Sequence, residues 1–187
     1  MRIIRFILLI VLTIVTSCRE NSGKQLATIE GFSNIQKAIK NEFGDNAYFT
    51  DINIVHSASI GNIIGITVTK DPSSLKMGQW NQAQGVWKQN AEIFIDVPNG
   101  KKAADFMYQL DDKINLTTLG ALIEQSKKQL QNEKNLNNPM LSTASIYFPK
   151  NGDISKTEYL VNFKPENGET TFRFYYKLNG ELRKMDY

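Results

Sequence analysis

Apolar residues between positions 25 and 43 recur at intervals of three and four, which is the spacing of one face of an α-helix. The pattern therefore predicts a helix over residues 25–43. Gly31 interrupts the pattern, and Ser33 followed by Gln36 resembles a capping box, so we expect the helix to break at the glycine and to restart at Ser33. The apolar positions are Leu26, Ile29, Phe32, Ile35, Ile39 and Phe43.

The segments that follow are rich in β-branched residues, which favour strands. We expect strands at residues 48–56, 63–70 and 91–97. Between the last two lies a stretch rich in glutamine and asparagine that carries both tryptophans, Trp80 and Trp87. Its pattern is typical of neither helix nor strand, and we assign it no element.

A second cycle of elements begins after residue 100. Apolar spacing predicts a helix over residues 101–112, and Asn115 is a suitable N-cap for a longer helix that ends near residue 134. Asn-Gly pairs separate several of the alternating runs that follow, and this dipeptide is the strongest short hairpin signal. We expect four strands, at residues 142–148, 158–164, 170–178 and 181–185.

The two cycles have the same order of elements. The sequence thus predicts an α+β protein in which a helix is followed by an antiparallel β-meander, arranged as two tandem α-β-β-β units packed as one body. The units span residues 25–98 and 99–187. A match between residues 86–93 and 175–182, with three identities, supports the duplication.

Alternation in the last strands distinguishes core from surface positions. Phe172, Phe174 and Tyr176 fall on one face, which we expect to be buried, whereas we expect Tyr175 and Tyr159 to be partly exposed.

The first 17 residues have the organisation of a secretory signal peptide. Arg2 and Arg5 precede an apolar run of ten residues at positions 6–15. Because a helix needs about 17 or more apolar residues to cross a bilayer, this run is too short for a permanent span. The tetrapeptide Val15-Thr16-Ser17-Cys18 resembles the lipobox of bacterial lipoprotein precursors, and Cys18 is the only cysteine of the chain.

This resemblance implies that the chain is cut before Cys18 and that a lipid is attached to its sulfur. Residues 18–24 then form a polar tether, and the membrane contact is made by lipid in a bacterial cell envelope. The outer membrane is favoured over the inner one, and the leaflet stays open, because only Glu20 is acidic in the tether. The order of elements also resembles two groups in topology alone: helix-plus-meander lipoproteins that assist outer-membrane assembly, and tandem-repeat β-lactamase-inhibitory proteins.

The charge of the chain argues against a nucleic-acid partner. Without Arg2 and Arg5 the formal net charge falls from +3 to +1, and acidic and basic residues alternate along the rest of the sequence. A duplex-binding surface needs a concentrated cationic region. A single histidine and a single cysteine also exclude most structural zinc sites, so we expect neither a metal nor a cofactor.

Candidate catalytic residues are few. His56 is next to Ser57 and near Asp51, but neighbouring residues of a strand point to opposite faces, which separates the histidine from the serine. The carboxylates of Asp71, Asp111 and Asp112 are of the type that binds metals or acts in glycosidases. However, these residues lie in expected turns or at the end of a predicted helix. We therefore expect no enzymatic activity and name no catalytic residue.

The tryptophans are the remaining candidates. Trp80 and Trp87 either bind a partner or cover the sheet of the first unit. Our leading prediction is a membrane-anchored lipoprotein with a non-enzymatic macromolecule-binding domain of assembly, inhibitory or immunity type, whose partner is an envelope protein or polymer. The alternatives are a module for a small apolar ligand between helix and sheet, and a hydrolase with an unrecognised site. A flat exposed sheet face, a cavity lined by Leu and Ile, or carboxylates in a cleft would distinguish the three.

Overall fold

The structure is a computed structural model that describes residues 27–57 and 59–187. It contains two α-helices, eight strands and three short 3-10 helices at Pro72–Ser74, Ala103–Phe106 and Ile154–Lys156. The helices are α1 (Ile29–Phe43) and α2 (Leu116–Lys134). The strands are β1 (Tyr48–Ser57), β2 (Gly61–Thr69), β3 (Lys76–Ala83), β4 (Val86–Phe94), β5 (Met140–Tyr147), β6 (Glu158–Lys164), β7 (Phe172–Lys177) and β8 (Leu182–Asp186).

All eight strands form one antiparallel sheet in the order β4-β3-β2-β1-β5-β6-β7-β8. The order is symmetric about the β1–β5 pair, in which Ile52 is opposite Ile146 and Ile54 is opposite Ala144. The expected α+β class is confirmed. Each half has a helix followed by four strands, so the α-β-β-β unit is corrected to α-β-β-β-β: the four strands expected in the second half are present, and the first half has one more than the three expected there.

Helix α1 runs without a break. The side chain of Thr28 accepts a hydrogen bond from the backbone N–H of Gly31 at 3.1 Å, so the helix is capped at Thr28 and begins at Ile29. The predicted restart at Ser33 is therefore wrong. Gly31 lies in the first turn and is buried, and the packing of the helix outweighs the cost of about 1 kcal/mol for a glycine inside it.

The stretch rich in glutamine and asparagine forms the β3–β4 hairpin. Its turn is Gln84-Gly85, and both residues have positive φ, as tight hairpin turns with the right-handed twist require. The strand expected at residues 91–97 is thus wrong in its limits, because β4 begins at Val86 and ends at Phe94. Glutamine and asparagine occupy both faces of this hairpin, so polarity does not alternate along it.

The helix expected at residues 101–112 is also wrong. Only Ala103–Phe106 is helical, as one 3-10 turn, and the chain beyond it is extended. The backbones of Tyr108 and Phe49 exchange two hydrogen bonds, of 2.7 and 2.9 Å, which replace those of a helix. The following helix is confirmed, because the Asn115 side chain caps α2 by accepting from the N–H of Thr118 at 2.8 Å.

Both helices pack on one face of the sheet and against each other. A Cβ atom on Gly120 would lie 2.8 Å from the Cα of Ile29, so the glycine permits the close approach of the helices. The core positions of Phe172, Phe174 and Tyr176 are confirmed. The expected partial exposure of Tyr159 is wrong, because its ring is fully buried and its hydroxyl accepts from the N–H of Asn115 at the start of α2.

A second, smaller apolar cluster lies on the opposite face of the sheet. The segment between β4 and α2 packs there against the outward-facing residues of the first half. Its buried members are Met77, Ala103 and Met107, with Tyr48, Ile93, Ile95 and Val97 packed around them. One end of this face is therefore covered by the linker, and the rest carries no helix.

Candidate functional site

The face of the sheet away from both helices, here called the outer face, is continuous across all eight strands. The strand registers place one residue of each strand side by side in a central row. In order from β4 to β8 the row is Lys88, Asn81, Gly65, Asn53, Ser145, Leu160, Tyr175 and Lys184. These positions alternate with residues of the core, so their side chains point to solvent.

The outer face of β1–β4 is almost free of charge beyond the cleft described below. We call it the neutral face, and Lys88 at the sheet edge is its one charged neighbour in the central row. An apolar strip crosses it, in which Val55 is 38% and Val86 is 69% exposed. The neutral face consists of Asn53, Val55, Ile63, Gly65, Thr67, Gln79, Asn81, Ala83 and Val86.

The outer face of β6–β8 has a different character. Arg183 forms a bidentate ion pair with Glu158, and the Nζ atom of Lys184 lies 2.8 Å from a carboxylate oxygen of Asp186. Both cations also lie near the ring of Tyr175, at 5.4 and 5.9 Å from its centroid. The charged side chains of this region are therefore largely engaged with one another.

A cleft of about 680 Å³ opens at the end of the outer face where β1 begins and β5 ends. We call it the Asp51 cleft. Its volume lies in the range of small-molecule sites, and its walls are mainly apolar with a few polar groups. The lining residues are Thr50, Asp51, Ile93, Ile95, Asp96, Phe106, Ile146, Tyr147, Phe148, Pro149 and Lys150.

Two local features of the backbone build this cleft. The register of β1 against β2 shifts between Phe49 and Asp51, and this bulge places Asp51 opposite Thr67 on the outer face. On the other wall, Gly152 has a φ of +75° and lies so close to the carbonyl oxygen of Asp105 that a Cβ atom would overlap it. The turn after β5 and the linker before α2 are therefore held in direct contact.

Partial burial shifts the pKa of one residue that lines the cleft, Asp51. The Asp51 carboxylate is accessible to water, yet the surrounding protein desolvates it and raises its pKa. Behind it, burial raises the pKa of Tyr108 well above the usual value, and the negative charge of Asp51 adds to this shift. The Tyr108 ring packs against Phe148 at 5.4 Å, and its hydroxyl has no hydrogen-bond partner in the described chain.

The residues considered for a catalytic triad are not brought together. His56 Nδ1 lies 2.7 Å from the side-chain oxygen of Asn62, and Ser57 bonds to Ser59 at 3.1 Å. Asp51 lies five residues before His56 on the same strand, a separation of about 17 Å. The structure therefore offers no acid for this histidine at that position.

The other carboxylates stabilise turns, as their positions in the sequence indicate. Asp71 accepts from the N–H of Ser73, and Asp111 accepts from the N–H groups of Lys113 and Ile114. Asp112 is exposed. Within residues 27–57 and 59–187, no three His, Cys, Asp or Glu side chains are grouped as a metal site would require.

The two tryptophans lie on the helix side of the sheet, where both are half-buried. Trp80 and Trp87 contact the ring of Phe43 edge to face, at 5.4 and 5.1 Å. Gly78 is required beside them, because a Cβ atom there would overlap the indole nitrogen of Trp80. This packing accounts for both residues as a cover over the end of α1, and a binding role for them stays a prediction.

The sequence did not single out Asp96 and Lys150 or the neutral face. The alternation of β1 and β2 could have indicated some outward positions. The cleft has no such signal, because it depends on the β1–β5 pairing between residues far apart in the chain.

No protein-family model, curated protein or solved structure matches this chain. Neither α1 nor α2, the helices of the described part, has the length and apolar character needed to cross a membrane. Cys18 and the predicted signal segment of residues 1–17 lie outside the described residues.

Proposed function

We propose that this chain is a lipid-anchored protein of the bacterial cell envelope whose folded part binds another protein and performs no catalysis. The lipobox resemblance around Cys18 supports the anchor. Stable anchoring takes two lipid chains or more, which a diacylated cysteine provides without help from the protein surface. The polar tether of residues 18–24 keeps the body near the bilayer.

The neutral face is the observation that carries the binding proposal. The centres of protein interfaces are depleted in charged residues, and this face combines uncharged amides with an exposed apolar strip. Val55 and Ile63 lie side by side in the strip and Asn53 and Gly65 in the row beside them, so a partner meets adjacent apolar and uncharged polar side chains. A protein partner fits this surface better than a nucleic acid, which needs concentrated cations.

The anchor is tested by Cys18→Ala, with Ser22→Ala in the tether as the matched control. The cysteine variant should lose lipid labelling and leave the membrane fraction, whereas the serine variant should keep both. Continued lipid labelling of Cys18→Ala would remove the anchor from the proposal.

The binding face is tested by a photo-crosslinking amino acid placed at Asn53 in living cells, with Lys128 on the exposed side of α2 as the control position. We expect one discrete protein adduct from position 53, lost when Val55→Arg adds a charge to the apolar strip. An adduct made of glycan would replace the protein partner by an envelope polymer. Identical products at both positions would contradict the proposed face.

A separate cavity supports the second candidate, a module for a small apolar ligand. It lies between α2 and the sheet, has a volume of about 220 Å³, and is lined by Ile123, Leu141 and Phe163 with His56 and Lys127 beside them. Indole, an apolar probe small enough for this volume, should bind there, and Leu141→Trp should abolish binding by filling the space. Unchanged binding in that variant would exclude this cavity.

A further inference from the structure

The Asp51 cleft combines carboxylates with apolar walls. Asp51 and Asp96 contribute two acidic groups and Lys150 one basic group, so the cleft has one negative charge in excess when all three are ionised. Neither carboxylate forms an ion pair with a lysine or arginine of the described chain. Both residues are exposed to solvent, so a cation that enters the cleft can reach their carboxylates and form charge-assisted contacts that no lysine or arginine of the described chain supplies.

Aromatic rings complete the walls. Phe106 and Phe148 are half-buried, and Tyr147 is 52% exposed. The faces of such rings attract cations that lie within about 6 Å, and their edges contact apolar groups. This set of side chains suits a ligand that is positively charged at one end and apolar at the other.

Tyr108 is a core residue behind the wall of the cleft and is not one of its lining residues. Its hydroxyl is buried behind Asp51 without a hydrogen-bond partner in the described protein, although buried polar groups are nearly always bonded. The ring is held between Phe49 and Phe148, at centroid distances of 6.0 and 5.4 Å, and Phe148 is itself a wall residue of the cleft.

We propose that the Asp51 cleft binds a small organic monocation, an ammonium group carried on an aliphatic or aromatic body. The ammonium lies between the carboxylates of Asp51 and Asp96, and the body packs against Ile95 and the aromatic walls. This site is distinct from the neutral face, so ligand binding in the cleft and partner binding on the face can each fail alone.

The proposal is tested by calorimetry on the purified full chain with three probes of similar shape: 2-phenylethylammonium, 2-phenylethanol and 3-phenylpropionate. Charge-assisted contacts should make the ammonium bind at least about tenfold more tightly than the alcohol. The carboxylate probe should bind least well.

Asp51→Asn should reduce this preference until the ammonium and the alcohol bind about equally, and Asp96→Asn should reduce it in the same direction. Asp112→Asn, which changes an exposed carboxylate outside the cleft, should leave the preference intact. Circular dichroism of each variant shows whether it has folded before its binding is compared.

Acidification adds a second measurement on the unaltered chain. Protonation of Asp51, whose pKa is raised by burial, should weaken binding of the ammonium probe and leave binding of the alcohol unchanged, while Tyr108 stays protonated throughout the acid range. Equal binding of the ammonium and the alcohol, no binding of either at about 10 mM, preference for the carboxylate probe, or retained preference in Asp51→Asn would each overturn the proposal.

Discussion

The two halves of the molecule share one order of elements but use different side chains. The inner faces of β1 and β2 in the first half are aliphatic, with Ile52, Ile54, Ile64, Ile66 and Val68, and those of β6 and β7 in the second half are largely aromatic, with Tyr159, Phe163, Phe172, Phe174 and Tyr176. Their outer faces also differ, since the first is neutral and the second is covered by ion pairs. One backbone plan thus supports two surfaces of different chemistry.

The aromatic half fixes its helix with hydroxyl groups as well as with rings. The Tyr176 hydroxyl lies 2.7 Å from the Ser126 hydroxyl, and the Tyr159 hydroxyl accepts from the N–H of Asn115 at 2.9 Å. In the first half, the end of α1 is held by Phe43 against the two indoles. We expect from this comparison that the second half contributes more to stability than the first.

The largest expected effect is on the free energy of unfolding, and it is found by comparing the third strand of each half, β3 and β7. Trp80 on β3 is opposite Ile66, and Phe174 on β7 is opposite Val161. Phe174→Ala should lower the free energy of unfolding by about 3–5 kcal/mol, because the ring is fully buried. Trp80→Ala should cost less, because its indole is only half-buried. Urea titration of both variants measures the difference, and an equal or larger loss for Trp80→Ala would reverse the proposed order of the halves.

A smaller effect is expected at two glycines of the first half. Gly78→Ala should destabilise by about 1–3 kcal/mol, because its Cβ atom would displace the Trp80 indole from Phe43. Gly65→Ala should cost less than this, since the nearest atom is the side-chain oxygen of Asn81 at 3.3 Å, which can move. Thermal unfolding compares the two, and tryptophan fluorescence should change only in the Gly78 variant.

A still smaller effect on stability is expected from removing one of two buried tyrosine hydroxyls, those of Tyr176 and Tyr108. Tyr176→Phe should destabilise by about 1 kcal/mol, because it removes the bond to Ser126. Tyr108→Phe should be neutral or stabilising, because that buried hydroxyl has no partner to lose. Denaturant midpoints at neutral pH test the pair, and a clear loss of stability in Tyr108→Phe would show that its hydroxyl is satisfied in solution.

The smallest expected effect concerns pH and Asp51. Burial raises the pKa of this carboxyl in the folded chain, so the folded state holds its proton more tightly than the unfolded state. Stability therefore falls as pH rises through the window between the two pKa values. Asp51→Asn removes this loss, so its midpoint of thermal unfolding should exceed that of the parent at pH 7 and converge with it in acid. A lower midpoint at pH 7 would contradict this sign.

The strands of the second half could be predicted from the sequence with few errors, whereas the helix expected at residues 101–112 could not. Asn-Gly turns separate its strands, and β6 occupies the expected residues 158–164. The first half could be read less well, because the β3–β4 hairpin carries glutamine and asparagine on both faces and its turn is Gln84-Gly85. A strand cannot be recognised from hydrophobic alternation when polar residues occupy both of its faces, even though its backbone is extended.

The candidate sites were less accessible to prediction than the fold. In the sequence, Asp51 is a candidate acid near His56, but the structure places it in a cleft with Asp96 and Lys150. These residues come from three separate segments, and no spacing in the sequence relates them. The lipid anchor at Cys18 stays a prediction from sequence.

The sequence by itself determined the class, the α2 helix with its Asn115 cap, and most strands of the second half, because caps, turns and alternation act over a few neighbouring residues. Only the tertiary structure decided the β1–β5 pairing, the extended path through Tyr108 and the cleft beside Asp51. Those features depend on contacts between distant segments, whose free energy is not encoded in any short window of the chain.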